Sequence, residues 1–224
     1  HLAALQIPEC RADPLLCSKV NIFGFINVFE TAKKHGISSI IYTSSIAAKP
    51  REPANAPANL YGVFKKTNEE IARLYWENDG INSLGLRPYI VYGIGRDDGE
   101  TSAITKAIQA ASVGKPYAMP FTTNSCFQFA GEVAEIFIQC TNASWQGSIL
   151  SDLTTEVNST DDLIEAIRKE VPGARITRSE NVRISPDIDF DNRPLHRIIG
   201  DWPHTSLAEG VRETVARYRA LQQA

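Results

Sequence analysis

The chain has 224 residues, 43% of them hydrophobic, and a formal charge of −3, which suits one large domain, or one domain with a smaller appendage, around a buried core. It carries no basic block or aromatic-basic stripe, so nucleic acid is not an expected partner, and no apolar run approaches the length needed to cross a bilayer. The cysteines Cys10, Cys17, Cys126 and Cys140 form neither a CxxC pair nor zinc-ligand spacing, which predicts buried, reduced thiols in a cytoplasmic protein. No metal site is expected, because His35, His196 and His204 each lack a second ligand at metal spacing.

His1-Leu-Ala-Ala-Leu-Gln6 reads as the end of a buried strand running into a loop, and the start without methionine predicts a fragment. Helical spacing then runs from Leu15 to Lys34, with Val20, Phe23, Ile26, Val28 and Phe29 on its apolar face and Gly36 as its stop. Ser39-Ile-Ile-Tyr-Thr-Ser44 is apolar and β-branched without alternation, the mark of a strand buried on both faces. Pro50, Pro53 and Pro57 make the next segment a loop. Helical periodicity returns from Leu60 to Asn78, Gly80 closes it, and a strand follows at Ser83 to Arg87.

Strand, helix, strand with short connections is the grammar of a parallel sheet. A right-handed crossover opens both strand ends, at Ser45 and Pro88, on one edge of the sheet, where such sheets bind ligands. Further on, helices are expected over 101–113, 132–141, 161–170 and 207–221, and strands over 146–150 and 175–178.

Tyr61 and Lys65 are one helical turn apart, so a phenol and an ammonium share a face. The ammonium favours the phenolate and prepares the tyrosine to take a proton from an alcohol. Ser45, at the strand end before that helix, adds a hydroxyl that can bond the same oxygen. Each residue alone also fits a bland role, as a surface helical pair or a strand-end cap. The three in this order favour a site.

Five stretches in order carry a resemblance: His1-Leu-Ala-Ala4, Asn21-Ile-Phe-Gly-Phe-Ile-Asn-Val-Phe-Glu-Thr-Ala32, Tyr42-Thr-Ser-Ser45, Tyr61-Gly-Val-Phe-Lys65 and Leu86-Arg-Pro-Tyr-Ile-Val-Tyr-Gly93. Over nearly its whole length the chain resembles an extended short-chain dehydrogenase/reductase of the NAD-dependent epimerase/dehydratase family. The resemblance implies a Rossmann-like α/β fold: a doubly wound parallel sheet lacking its first strands, with a small C-terminal α/β substrate-binding part. Residues 1–94 and 131–152 would be the remainder of the dinucleotide-binding domain, and 95–130 and 153–224 the substrate-binding part.

The same resemblance implies Ser45, Tyr61 and Lys65 as catalytic residues and NAD or NADP as cofactor. The dinucleotide would be lined by Leu2, Ala3, Ala4, Leu5, Gln6, Thr43, Tyr61, Lys65, Pro88 and Tyr89. Asn21 would anchor its helix or a water near the site, with plain helix packing as the alternative. The implied assembly is a homodimer acting on a small-molecule substrate. The family's glycine-rich pyrophosphate turn has no counterpart here, since Gly93-Ile-Gly95 lacks the spacing, so the expected fragment binds the cofactor poorly by itself, and activity and the homodimer are expected of the full-length form.

Two departures bear on substrate. Ser45 is followed by Ile46 and Ala47, where the sugar-nucleotide 4,6-dehydratases carry an Asp-Glu pair, and Ile90 stands where the epimerases typically carry asparagine. The expected function is hydride transfer at a hydroxyl-bearing carbon of a sugar, polyol or sugar-derived substrate. A reductase of a steroid- or flavonoid-like carbonyl and a non-catalytic dinucleotide sensor remain as alternatives. Arg87, at a strand end, and Arg96, in a loop, are candidate anion contacts, with surface salt bridges as the commoner role of arginines so placed.

Overall fold

A computed structural model describes residues 1–153, 156–182 and 189–222. In chain order the elements are α1 (Ile7–Ala12), α2 (Pro14–Ser18), a π-type turn (Lys19–Phe23), α3 (Gly24–Lys34), β1 (Ser39–Thr43), a 3-10 turn (Ile46–Ala48), α4 (Leu60–Asp79), β2 (Asn82–Arg87) and β3 (Ile90–Tyr92). There follow α5 (Ala103–Ser112), β4 (Tyr117–Met119), β5 (Asn124–Phe129), α6 (Ala130–Asn142), β6 (Ser148–Asp152), β7 (Val157–Ser159), α7 (Thr160–Glu170), β8 (Ile176–Arg178), α8 (Arg193–Ile199) and α9 (Leu207–Leu221). They divide into two compact units, one of His1–Tyr89, Ile136–Thr154 and Ile188–Trp202, the other of Ile90–Glu135, Thr155–Asp187 and Pro203–Ala224.

The first unit is built on a parallel sheet in the order β1-β2-β6, with Tyr42 beside Gly85 and Leu84 beside Ile149. The β1-α4-β2 stretch is the crossover expected from the apolar run at 39–44. Its core joins Phe25, Phe29 and Ala32 of α3 to Ile40 and Tyr42 of β1, Ala72 of α4 and Ile81. Phe25 meets Tyr42 at 5.0 Å between ring centres and Phe29 stacks on Tyr75 at 4.8 Å. Helix α4 starts on Asn59, whose side chain accepts from the Gly62 N–H, and stops at Gly80, whose φ of 68° suits glycine. On the other side of β1, the His1 ammonium donates to the Ile41 carbonyl at 2.7 Å and the Thr43 N–H donates to the His1 carbonyl at 3.1 Å. That is the ladder pattern of a parallel neighbour.

The second unit holds the sheet β3-β5-β7, with β3 parallel and β7 antiparallel to β5, and the two-stranded β4-β8 pair. Helix α9 packs on α5 and α7, burying Val211 and Val215 with Ile104, Ile108, Leu163 and Ile167.

The helix expected from Leu15 to Lys34 is present and runs without interruption from Pro14 to Lys34, its turns widening to π spacing over Lys19–Phe23, and α1 precedes it. Helices α1 and α2 meet at Asp13, which caps α2 through the Leu16 N–H. This sharp junction brings the Cα atoms of Cys10 and Cys17 to 4.9 Å, and their sulfurs form a disulfide. The expectation of reduced thiols therefore fails for this pair; Cys126 and Cys140 are buried and in no disulfide among the described residues. Among the described residues no His, Cys, Asp and Glu side chains cluster as a metal site, and no helix is long and apolar enough to cross a membrane.

Candidate active site

The site is assembled where β1 ends and α4 begins. Their approach is close enough to dictate a glycine: a Cβ on Gly62 would lie 2.2 Å from the Ala47 carbonyl oxygen and 3.1 Å from the Pro57 Cβ. The first turn of α4, with Tyr61, is thus pressed against the 3-10 turn that follows Ser45. Ser45 has extended backbone, and its hydroxyl oxygen accepts from the Ala47 N–H at 3.1 Å. The capping role open to this serine is therefore real, and it leaves the hydroxyl proton to donate elsewhere.

Lys65, one turn into α4 from Tyr61, is buried, and its ammonium donates to the Thr43 carbonyl at 2.5 Å. The same ammonium stands 5.6 Å from the centre of the Tyr61 ring, within reach of a cation–π attraction. Burial pushes its pKa down from 10.5 to about 8, with the Glu69 charge pulling the other way. The unfolded chain holds this proton up to about pH 10.4, so between about pH 8 and that value folding releases a proton and stability rises with pH. Urea titrations at pH 7 and pH 10 are expected to show the balance between wild type and Lys65→Met moving toward wild type at the higher pH. A difference independent of pH would exclude a depressed Lys65.

The expected cofactor segment is held at one point. Asn21 is buried, and its side chain both accepts from the Leu5 N–H at 2.8 Å and donates to the Leu5 carbonyl at 2.9 Å. Its own carbonyl accepts from the Asn68 amide of α4 at 2.9 Å. Asn21 is therefore an anchor for the loop as well as a packing residue of its turn. Leu2 and Ala3 are exposed, Ala4 and Leu5 half-buried, and the Gln6 N–H is capped by Glu9. Pro88 joins the site through its carbonyl, which accepts from the Ile46 N–H at 3.1 Å, and Tyr89 packs on Phe190 at 5.9 Å between ring centres.

Sequence reasoning missed a second layer. Arg87 is not a surface partner: its guanidinium grips the fully buried Glu69 carboxylate by two bonds, Nε to Oε1 at 2.6 Å and Nη2 to Oε2 at 2.7 Å. Ser44 donates to the same Oε1 at 2.6 Å. The signal was present in the phase of α4, because Gly62, Lys65, Asn68, Glu69 and Ala72 fall on its buried stripe, so a core-facing carboxylate required a partner.

A hydroxyl, a phenol and a buried ammonium at one strand end form a donor set suited to a nicotinamide ribose and a reacting hydroxyl. Residues 1–146 match the family model described as the NAD dependent epimerase/dehydratase family. The chain belongs to that family. Its relatives include the UDP-glucose 4-epimerase of Mycolicibacterium smegmatis, 25% identical over 242 residues that cover 100% of this chain and 76% of that protein. Among solved structures, the UDP-N-acetylglucosamine 4-epimerase of Methanobrevibacter ruminantium in complex with UDP-N-acetylmuramic acid has a TM-score of 0.84 at 22% identity, covering 100% of this chain and 76% of that one. The UDP-glucose 4-epimerase of Thermus thermophilus in complex with NAD has a TM-score of 0.76 at 21% identity, covering 97% and 75%. These two structures share the fold. As a member of that family, the protein is an NAD-dependent enzyme of the epimerase/dehydratase type.

Proposed function

We propose that the protein inverts a hydroxyl-bearing carbon of a nucleotide-linked sugar by transient oxidation, with Ser45, Tyr61 and Lys65 as its catalytic residues. The observation that carries this reading is the packing of the Tyr61 turn onto the Ser45 turn, with the Lys65 ammonium beside the Tyr61 ring. The match of this whole chain to 76% of a UDP-glucose 4-epimerase supports the sugar nucleotide as substrate.

Tyr61 takes the proton of the substrate hydroxyl as that carbon is oxidised and returns it when the carbon is reduced. Ser45 donates a hydrogen bond to the same oxygen. Lys65, fixed by the Thr43 carbonyl, stabilises the phenolate through its charge and offers its remaining N–H donors to a ribose hydroxyl. The dinucleotide, when bound, supplies the hydride acceptor. Thr43, Leu2 to Gln6, Pro88 and Tyr89 would line it, with Asn21 keeping the Leu5 segment in place. Ile46 and Ala47 provide no acid or base beside Ser45, which supports epimerisation over elimination of water.

Exposed apolar side chains at Leu16, Phe23, Val63 and Leu74 support a homodimer as the working form. The test is incubation of the protein with NAD and UDP-glucose, followed by separation of the UDP-sugars. Conversion to the 4-epimer without net NADH is the expected result. Accumulation of NADH would instead mark a net dehydrogenase, and neither product, in protein that binds NAD, would reject this substrate.

A further inference from the structure

The residues on both sides of Ser45 are tied down by groups that do not touch the substrate oxygen. Before it, the Thr43 carbonyl is held by Lys65 at 2.5 Å. The Ser44 N–H donates to the Leu86 carbonyl at 2.7 Å, and the Ser44 hydroxyl donates to Glu69 at 2.6 Å. After it, the Ile46 N–H is held by Pro88. Glu69 is in turn fixed by the two-bond Arg87 grip, and the Arg87 Nη1 reaches Asp152 at 3.5 Å. Asp152 also receives the Lys49 ammonium, and the Asp191 N–H at 2.8 Å.

A buried ion pair is poor evidence for stability, since apolar groups of the same shape commonly hold a fold as well. What charges supply and apolar groups cannot is orientation and field. We propose that Glu69, locked by Arg87, is a positioning residue of the site: its carboxylate fixes the Ser44 hydroxyl, and with it the Ser45 turn, and its charge stands one helical turn behind the Lys65 ammonium. The proposal rests on the reading of Ser45 and Lys65 as catalytic residues.

The groups that set the field at Lys65 come from several elements. Tyr61, Lys66 and Glu69 belong to α4; the His1 ammonium, electrostatically coupled to Lys65, comes from the start of the chain. Arg87 of β2 and Asp152 of β6 lie beyond Glu69. Of these, Glu69 is the negative charge that holds Lys65 protonated against its burial.

Two substitutions separate the two effects. Glu69→Gln keeps the shape and an acceptor but removes the charge, and Ser44→Ala removes one hydroxyl. In protein labelled with [13C,15N]lysine, the Cε shift of Lys65, assigned with Lys65→Arg, is followed against pH. Glu69→Gln is expected to move the Lys65 midpoint down by about one unit or more, the effect of losing a nearby opposite charge, while Ser44→Ala leaves it in place. Amide exchange at Ile46 and Ala47 is expected to accelerate about tenfold or more in Ser44→Ala, the scale of a lost charge-assisted hydrogen bond. With NAD and UDP-glucose, Ser44→Ala should lower kcat with little change in NAD affinity, and the alkaline limb of the Glu69→Gln profile should follow its Lys65 midpoint downward.

An unchanged Lys65 midpoint in Glu69→Gln, or unchanged amide exchange in Ser44→Ala, would overturn the proposal. If Glu69→Gln does not fold, amide exchange in Ser44→Ala decides alone. A wild type inactive on UDP-glucose counts against the substrate reading, while the titration and exchange still decide the role of Glu69.

Discussion

Changing Tyr61 to Phe is expected to lower turnover by about 10²–10⁴-fold, the usual contribution of a positioned acid–base group, and to leave cofactor affinity within a few-fold of wild type. The ring remains, so its packing against the Lys65 ammonium, 5.6 Å from the ring centre, and the fit of α4 on the 3-10 turn are retained. Only the ionisable oxygen is removed. The measurement is kcat for UDP-sugar interconversion beside NAD binding followed by fluorescence. Turnover that survives the change would remove Tyr61 from the proton path and leave Ser45 or a bound water to carry it.

The largest expected loss of stability comes from Arg87→Ala, about 3–5 kcal/mol by urea unfolding at pH 7, the range seen when one partner of a buried ion pair is removed. Arg87 is the two-bond partner of a fully buried Glu69 and also faces buried Asp152. Its loss strands the Glu69 carboxylate, whereas Asp152 keeps the Lys49 ammonium. A loss under 1 kcal/mol would mean that water reaches Glu69 and that the pair is effectively a surface one.

The framework of the first unit was legible because its signals are long or strong. A β-branched run at 39–44, a twenty-residue helical period ending on Gly80, and an apolar strand before Pro88 each specify one element. Most of the short pieces were not legible, although β8, of three residues, falls within the strand expected over 175–178. Strands β3, β4 and β7 have three residues each, too few to display a period of two, and α1 has six with Pro8 among them.

The site divides in the same way. Ser45, Tyr61 and Lys65 could be singled out because their chemistry is unusual at that spacing. Arg87 and Glu69 could not, because an arginine at a strand end and a glutamate on a helix look like solvent-facing charges until burial is known. The Cys10–Cys17 bond was hidden for a further reason: the seven-residue separation becomes contact only through the sharp junction at Asp13.

The acceptor that holds the Lys65 ammonium is a main-chain carbonyl, that of Thr43. No substitution at position 43 can delete an atom that every amino acid carries, so the anchor is indifferent to drift in the side chain there. It is sensitive instead to chain path. A one-residue slip of β1 against β2 would turn the carbonyl toward the opposite neighbouring strand and send the adjoining side chains to the other face of the sheet. Insertions and deletions between Ser39 and Ser45, rather than point changes at Thr43, are therefore the lesions by which a descendant of this sequence would lose the site.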